Sequence, residues 1–171
     1  MRPAARLAAT LYAVAALVYG VDRLTKAWAE RALATRPPLQ VIPGVLQLNF
    51  TTNSGGAFSL GGSAPWLFVA ASAAVVAVIV LASSRLSRPA VAVGLGLVLG
   101  GALGNLTDRA VRGAGFSGRV VDFIDVHIWP VFNVADSAIV AGAAVLVFAS
   151  FVSGDREHRG ARRRGRSRAP Q

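Results

Sequence analysis

The sequence predicts an all-α integral membrane protein with four transmembrane helices, a small interfacial β-platform between helices 1 and 2, and an extracytoplasmic loop between helices 3 and 4. Of its 171 residues, 54% are hydrophobic and 15% are charged, whereas about a quarter of a soluble domain is charged. Residues 37–84, 89–107 and 137–154 contain no charged side chain. Because a bilayer span needs about 20 mostly apolar residues, we expect several crossings of the membrane.

Apolar runs locate the four spans. Ser63 is a suitable N-cap for the second helix, and Pro65 falls in its first turn, where proline is tolerated. The third span is rich in glycine, which permits close helix packing. The predicted spans are residues 7–21 with a helical continuation through 28, residues 64–84, residues 89–106, and a fourth from near Asn133 to near Val152.

The first span has an alternative interpretation as a cleaved signal peptide. Two arginines precede its apolar core, and residues 27–29 (Ala-Trp-Ala) match the small-x-small pattern of a cleavage site. Charged and polar residues from Asp22 to Lys26 separate the core from that pattern. We therefore favour a retained helix.

The formal net charge of +10 is concentrated at the C-terminus, where seven arginines follow the last apolar run. Such a segment is typical of a disordered juxtamembrane tail that touches anionic lipid, so nucleic acid is not an expected partner. We divide the chain into a four-span domain at residues 1–154 and a basic, disordered cytoplasmic tail at residues 155–171. With both termini cytoplasmic, eleven basic residues lie inside and seven outside, so the positive-inside bias depends on the tail.

Residues 46–51 alternate between apolar and polar side chains, which is the period of a half-buried strand. An open sheet edge cannot lie in hydrocarbon, so the predicted platform lies at the outer interface, where strand addition would hold an extended peptide. Asn53, just after this segment, offers donors and an acceptor to a peptide backbone. The alternative is a plain amphipathic loop that ends in a common glycine-rich turn.

Two aspartates lie in segments that resemble catalytic motifs. Asp122 occurs in Val-Val-Asp-Phe-Ile-Asp and Asp136 in Phe-Asn-Val-Ala-Asp, both at the edges of hydrophobic stretches. A carboxylate at the edge of a bilayer is costly and usually marks a site, and two close together can share one proton and activate water. The helix dipole alone would favour Asp136 near a helix start, but it does not explain Asp122 and Asn133 beside it.

Two further polar groups fall near predicted helix ends. Asp22 and Lys26 are four residues apart and share a helix face. They are interpreted as a surface ion pair, as a structural pair that braces the site, or with Lys26 as a general base. Asn105, Asp108 and Arg109 also share a face, and an Asp–Arg pair at the end of a span is often structural.

Other catalytic classes fit the sequence less well. The chain has no cysteine, which excludes disulfides, thiol catalysis and cysteine-ligated metal. His127 and His158 form no metal-binding motif. A Ser–Lys protease would need Ser54 or Ser59 near Lys26, without a supporting motif. We therefore expect neither a metal nor an organic cofactor.

Five short sequence blocks follow one another along the predicted spans. They are residues 21–26 (Val-Asp-Arg-Leu-Thr-Lys), 53–58 (Asn-Ser-Gly-Gly-Ala-Phe), 100–109 (Gly-Gly-Ala-Leu-Gly-Asn-Leu-Thr-Asp-Arg), 118–123 (Gly-Arg-Val-Val-Asp-Phe) and 132–136 (Phe-Asn-Val-Ala-Asp). Together they closely resemble the bacterial lipoprotein signal peptidase family, signal peptidase II, over about residues 7–152. The resemblance implies a four-span aspartic peptidase of the bacterial cytoplasmic membrane, which cuts prolipoproteins before the diacylglyceryl-modified cysteine.

The same resemblance implies roles for individual residues. Asp122 and Asp136 would be the catalytic pair. The residues that bind substrate or shape the site would be Asp22, Lys26, Asn53, Gly55, Asn105, Asp108, Arg109 and Asn133. Three features depart from the family pattern, namely a longer link at residues 110–117, Gly56 in place of a frequent alanine, and Thr52 in place of a frequent arginine.

The resemblance also implies diacylglyceryl-modified prolipoproteins and membrane lipid as partners, and we expect a monomer. A small cation channel or transporter would instead use the aspartates as an ion path, and a structural lipid-binding scaffold is a third alternative. The sequence shows no internal repeat, and the interfacial strand also favours the peptidase over a channel. The aspartates of the channel hypothesis are Asp22, Asp108, Asp122 and Asp136.

Overall fold

The computed structural model describes residues 3–54 and 65–166 of the chain. Its helices are α1 (Pro3–Leu33), α2 (Pro65–Ala82), α3 (Pro89–Val111) and α4 (Val134–Arg166). Each contains a stretch that is long and apolar enough to cross a membrane, which confirms the predicted four-span architecture. Pro65 begins α2 as expected, whereas the predicted cap Ser63 lies outside the described residues.

Helix α3 lies at the centre of the bundle and contacts the other three helices. Its glycines allow backbones to approach closely, because a Cβ atom at Gly96 would lie 2.7 Å from the Leu11 carbonyl oxygen, and one at Gly100 would lie 2.6 Å from that of Ala15. On the side facing α4, a Cβ atom at Gly142 would lie 2.7 Å from the Gly94 carbonyl oxygen. The predicted close packing of the glycine-rich span is therefore confirmed.

The β-platform is a three-stranded antiparallel sheet in the order β1 (Leu39–Ile42), β2 (Leu46–Asn53) and β3 (Val120–Asp125). Strand β2 confirms the alternating segment as a strand, although all of its residues are half-buried rather than alternately exposed. Because β2 is the central strand, an added peptide strand would have to pair with β1 or β3.

Strand β3 comes from the loop between α3 and α4, where no strand was predicted. Its first four residues, from Val120 to Phe123, are all buried, and Val121 and Phe123 pack against Ala29 and Leu33 of α1. A strand that is buried on both faces loses the two-residue alternation that identifies strands in a sequence. The β2–β3 ladder also contains a bulge between Leu48 and Thr51, which bends β2 close to Asp122.

Helix α4 extends to Arg166, well beyond the end predicted near Val152. Residues 155–166 continue this helix, and the disorder expected for the tail stays a prediction. Arginine, glutamate and alanine are good helix formers and continue the helix once it has started. Residues 167–171 lie outside the described residues, and the domain boundary at residue 154 stays a prediction.

Candidate active site

Asn133 and Asp136 form a reciprocal cap at the start of α4. The Asn133 side-chain oxygen accepts a hydrogen bond from the Asp136 backbone N–H at 2.9 Å, and the Asn133 N–H donates to Asp136 Oδ2 at 3.3 Å. This capping box satisfies two backbone donors that a helix start otherwise leaves without partners. The helix start thus accounts for the position of Asp136, and the cap also holds its carboxyl group in one orientation.

Asp122 reaches the same place from β3. It is only 2% exposed, and its Oδ1 accepts a 2.6 Å hydrogen bond from Asn133 Nδ2. The Asn53 side chain supplies a second hydrogen bond to this carboxyl group. Asn133 therefore contacts both predicted catalytic aspartates, one through its side chain and one through its cap.

Two tethers hold β3 in position. Asp108 Oδ2 accepts a 3.2 Å hydrogen bond from the Val121 N–H, which ties the strand to α3. Ile124 and Phe132 exchange backbone hydrogen bonds of 2.8 and 3.0 Å. The segment between the two aspartates therefore folds back on itself and brings Asp122 to the start of α4.

A cleft of about 300 Å³ opens at these groups. Its polar end is formed by amides, carboxyls and a guanidinium, and its other wall is apolar and comes from α2 and α4. The polar lining residues are Asn53, Asn105, Arg109, Asp122 and Asp136, and the wall from α2 and α4 includes Phe68, Ser72, Ile139 and Val140. Such a cleft can hold an extended chain that is partly lipid-embedded beside the two carboxyl groups.

The electrostatics of the site separate Asp122 from an ordinary carboxyl group. Burial and, to a lesser extent, the negative charge of Asp136 together raise its pKa from 3.8 to about 7, against the opposing hydrogen bonds from Asn133 and Asn53. A carboxyl group with this pKa retains a proton near neutral pH. Asp122 can therefore act as a proton donor under physiological conditions.

Beneath the cleft lies a buried ion cluster around Lys26. The Lys26 ammonium is fully buried and lies 2.9 Å from Asp22 Oδ2, 3.0 Å from Asp108 Oδ2 and 2.9 Å from Asn105 Oδ1. The interpretation of Asp22 and Lys26 as a surface ion pair is therefore wrong, because neither side chain is exposed. A buried charge needs such partners, because the cost of removing it from water is several kcal/mol per ion.

The ion cluster connects to the aspartates through two contacts. Asp22 Oδ1 accepts a 3.0 Å hydrogen bond from the Ala135 N–H, so α1 helps to cap α4. Asn105 accepts from Lys26 and, through its Nδ2, donates to Asp136 Oδ1 at 2.8 Å. The structure thus brings together nine predicted residues. They are Asp22, Lys26, Asn53, Asn105, Asp108, Arg109, Asp122, Asn133 and Asp136.

Comparison with known proteins assigns this arrangement to a family. A family model described as signal peptidase (SPase) II matches residues 14–152. The chain belongs to the signal peptidase II family. It is 42% identical over 161 residues to a lipoprotein signal peptidase of Mycolicibacterium smegmatis, covering 94% of this chain and 68% of that relative.

Further similarities support membership of the signal peptidase II family. A lipoprotein signal peptidase of Syntrophomonas wolfei is 42% identical over 146 residues, covering 85% of this chain and 95% of the relative. A bacterial membrane enzyme solved by the in meso method at 2.3 Å resolution superposes with a TM-score of 0.75 at 26% identity, covering 86% of this chain and 91% of that one. The fold and the multi-pass membrane location therefore agree with the family.

Three residues of this signal peptidase II chain contact predicted site residues although they were not themselves predicted. They are Arg23, Arg112 and Phe68. Arg23 and Arg112 both contact Asp108 Oδ1, the latter at 3.2 Å, and the Arg109 guanidinium lies 5.7 Å from the centre of the Phe68 ring. Arg112 is four residues after Asp108, so helical spacing could have revealed it. Arg23 and Phe68 meet partners that are distant in sequence, and no local pattern predicts such contacts.

The remaining sequence predictions concern Gly55 and metal binding. Gly55 lies outside the described residues. Within residues 3–54 and 65–166, no group of three or more histidine, aspartate or glutamate side chains is arranged to hold a metal ion.

Proposed function

We propose that this family member is an aspartic endopeptidase that removes signal peptides from prolipoproteins by cutting before the diacylglyceryl-modified cysteine. The observation that carries the proposal is the bridging of Asp122 and Asp136 by Asn133 at the end of a cleft with an apolar wall from α2 and α4. The relatives named as lipoprotein signal peptidases support the substrate class. The pKa of Asp122, about 7, supports the catalytic type.

In the proposed mechanism the two carboxyl groups share one proton. Asp122 holds it, because burial raises its pKa to about 7, and donates it to the scissile carbonyl oxygen. Asp136, as the ionised partner, takes a proton from the attacking water, whose oxygen adds to the carbonyl carbon. Collapse of the tetrahedral intermediate breaks the C–N bond, and the pair delivers a proton to the leaving amine.

The amides around the pair orient it without taking part in proton transfer. Asn133 and Asn53 donate to Asp122, and Asn105 donates to Asp136. An amide does not titrate in this range, so it can hold a carboxyl group whether that group is charged or neutral. Arg109 lines the same cleft and can bind a substrate carbonyl group or a developing negative charge.

The architecture supports an orientation in which the active site faces outward and both termini are cytoplasmic. The C-terminal ends of α1 and α3 and the N-terminal end of α4 all meet at the sheet. A helix that starts at one face ends at the other, so the start of α1 and the end of α4 lie on the side opposite to the sheet. The apolar wall from α2 and α4 would admit the signal segment laterally from lipid. We further propose that the enzyme acts as a monomer and binds no nucleic acid.

The proposal is tested with purified protein and a synthetic diacylglyceryl-modified prolipoprotein peptide, with the products identified by mass spectrometry. We expect a single cut before the modified cysteine, at a rate that chelators do not change, and no cut in the unmodified peptide. Asp122→Asn should abolish this cut, whereas Asp125→Asn, on the same strand, should retain it.

Two results would contradict the proposal. Cleavage by correctly folded Asp122→Asn protein would refute the aspartic mechanism. Cation flux through liposomes containing the protein, without peptide cleavage, would instead support a channel. The ion cluster argues against that alternative, because Asp22 and Asp108 already contact the cations of Lys26, Arg23 and Arg112.

A further inference from the structure

A second cleft, of about 220 Å³, lies on the sheet side of Asp122. Both clefts are lined by Asn53 and Asp122, so they meet at the proposed catalytic group. Their chemistry differs, because the first cleft has the apolar wall from α2 and α4, whereas the second is rich in hydroxyl groups. The polar lining of this sheet-side cleft comprises Thr51, Thr52, Ser54 and Arg119, besides the two shared residues.

Arg119 places a positive charge at the rim of the sheet-side cleft. It immediately precedes β3 and is exposed, and its Nη2 donates a 2.8 Å hydrogen bond to the Thr52 carbonyl oxygen on β2. This bond holds the side chain at the cleft that it lines. A guanidinium group carries five N–H donors in a planar fork, so it can bind a carboxylate while it keeps the bond to Thr52.

A chain that passes Asp122 must enter both clefts, one on each side of the scissile bond. The signal segment is apolar and fits the membrane-facing wall, so the other cleft faces the product that is released with the modified cysteine at its start. We propose that the sheet-side cleft binds the residues that follow the modified cysteine, and that Arg119 selects an acidic side chain there. This inference rests on the proposed function.

The charge of Arg119 matters because of the neighbouring catalytic carboxyl groups. An acidic substrate side chain close to Asp122 and Asp136 is repelled by whichever of them is ionised. A guanidinium at the rim of the same cleft offsets that repulsion. A basic side chain at the same substrate position is instead repelled by Arg119 and attracted by the ionised aspartate.

The test compares three lipidated peptides that differ only in the second residue after the scissile bond, which is Asp, Asn or Lys. We expect the wild-type kcat/KM to be about two- to fivefold higher for Asp than for Asn, the range of a partly exposed ion pair, and lowest for Lys. High salt should reduce this preference. In Arg119→Gln the ratio should approach one, and in Arg119→Glu it should invert.

Arg36→Gln is the matched control, because Arg36 is an exposed arginine outside both clefts, and it should leave the ratio unchanged. An Asp preference that persists in Arg119→Glu overturns the inference, as does a wild-type ratio of one. A preference that follows the residue before the scissile bond overturns the assigned direction of the chain. Failure of the wild-type protein to cut any of the three peptides would instead contradict the proposed function.

Discussion

Two pairs of aspartates, buried except for the half-buried Asp136, lie on either side of Asn105 and have partners of different kinds. Asp22 and Asp108 contact cations, with Lys26 between them at 2.9 and 3.0 Å. The hydrogen bonds described for Asp122 and Asp136 come from amide groups. A cation stabilises the ionised carboxylate, whereas the amide hydrogen bonds from Asn133 and Asn53 lower the pKa of Asp122 less than burial raises it.

This difference shows how aspartate serves a structural purpose in the ion cluster and a proposed catalytic purpose in the adjacent site. Asn105 contacts both pairs, because it accepts a hydrogen bond from Lys26 and donates one to Asp136. Its neutral side chain thereby fixes Asp136 relative to the ion cluster without placing a charge beside it. The ion cluster provides rigidity, and the proposed catalytic pair remains able to exchange a proton.

The largest expected effect tests whether Asp122 and Asp136 act as one unit. Asp122→Asn and Asp136→Asn should each lower kcat/KM for a lipidated peptide by about a thousandfold or more, and the double variant should be no less active than the weaker single variant. The measurement is peptide cleavage by protein whose folding has been checked by thermal unfolding. Multiplicative losses in the double variant would show that the two groups act independently.

Lys26→Met tests the ion cluster, because it leaves Asp22 buried without its cation. We expect the free energy of unfolding to fall by about 3–5 kcal/mol, measured as loss of thermal stability in detergent. Adding Asp22→Asn should restore part of that stability, since the unpaired charge is removed. Glu30→Gln is the control at the half-exposed Glu30–Arg112 pair and should cost less than about 1 kcal/mol. Equal losses at both sites would remove the distinction between buried and exposed pairs.

The pH dependence of stability should distinguish the buried carboxyl group of Asp122 from a more exposed one on the same strand. The folded state raises the pKa of Asp122 from 3.8 to about 7, so its contribution to stability falls as pH rises across that interval and is lost above it. Asp122→Asn should therefore be more stable than wild type at pH 8, by on the order of 2–4 kcal/mol. The melting-temperature difference should shrink towards pH 4.

Asp125→Asn is the matched control for this measurement. A hydrogen bond from Gln47 lowers the pKa of Asp125, so its contribution is present at neutral pH and is lost as pH falls. This variant should melt slightly below wild type at neutral pH, and the difference should disappear in acid. A difference for Asp122→Asn that does not change with pH would show that its carboxyl group has an ordinary pKa.

The smallest effect is expected at Asn53, which positions Asp122 without exchanging a proton. Asn53→Ala should cost about 1–3 kcal/mol of transition-state stabilisation, the cost of a lost buried hydrogen-bond partner, read as a partial loss of kcat/KM. Asn49→Ala, on the same strand and outside both clefts, should have little effect. A loss as complete as that of the aspartates would assign Asn53 a direct role in the reaction.

Much of this architecture could be predicted because the signals are local. The spans follow from uncharged apolar runs, and the Asn133–Asp136 cap follows from the spacing at one helix start. Strand β3 could not be predicted from periodicity, since both of its faces are buried from Val120 to Phe123. The prediction for Asp108 was also incomplete, because its partner Arg23 is 85 residues away in sequence. Contacts of that kind form only in the folded chain.

Gly104 shows how far from the reacting atoms a substitution can act. A Cβ atom there would collide with the Asp22 carboxylate, which accepts the hydrogen bond from the Ala135 N–H in the first turn of α4. One added methyl group would have to displace that carboxylate, and the first turn that carries Asp136 would lose a cap. The sensitivity of the active site to substitution therefore follows a path of contacts rather than distance alone, and Gly104→Ala lies on that path although it is outside the cleft.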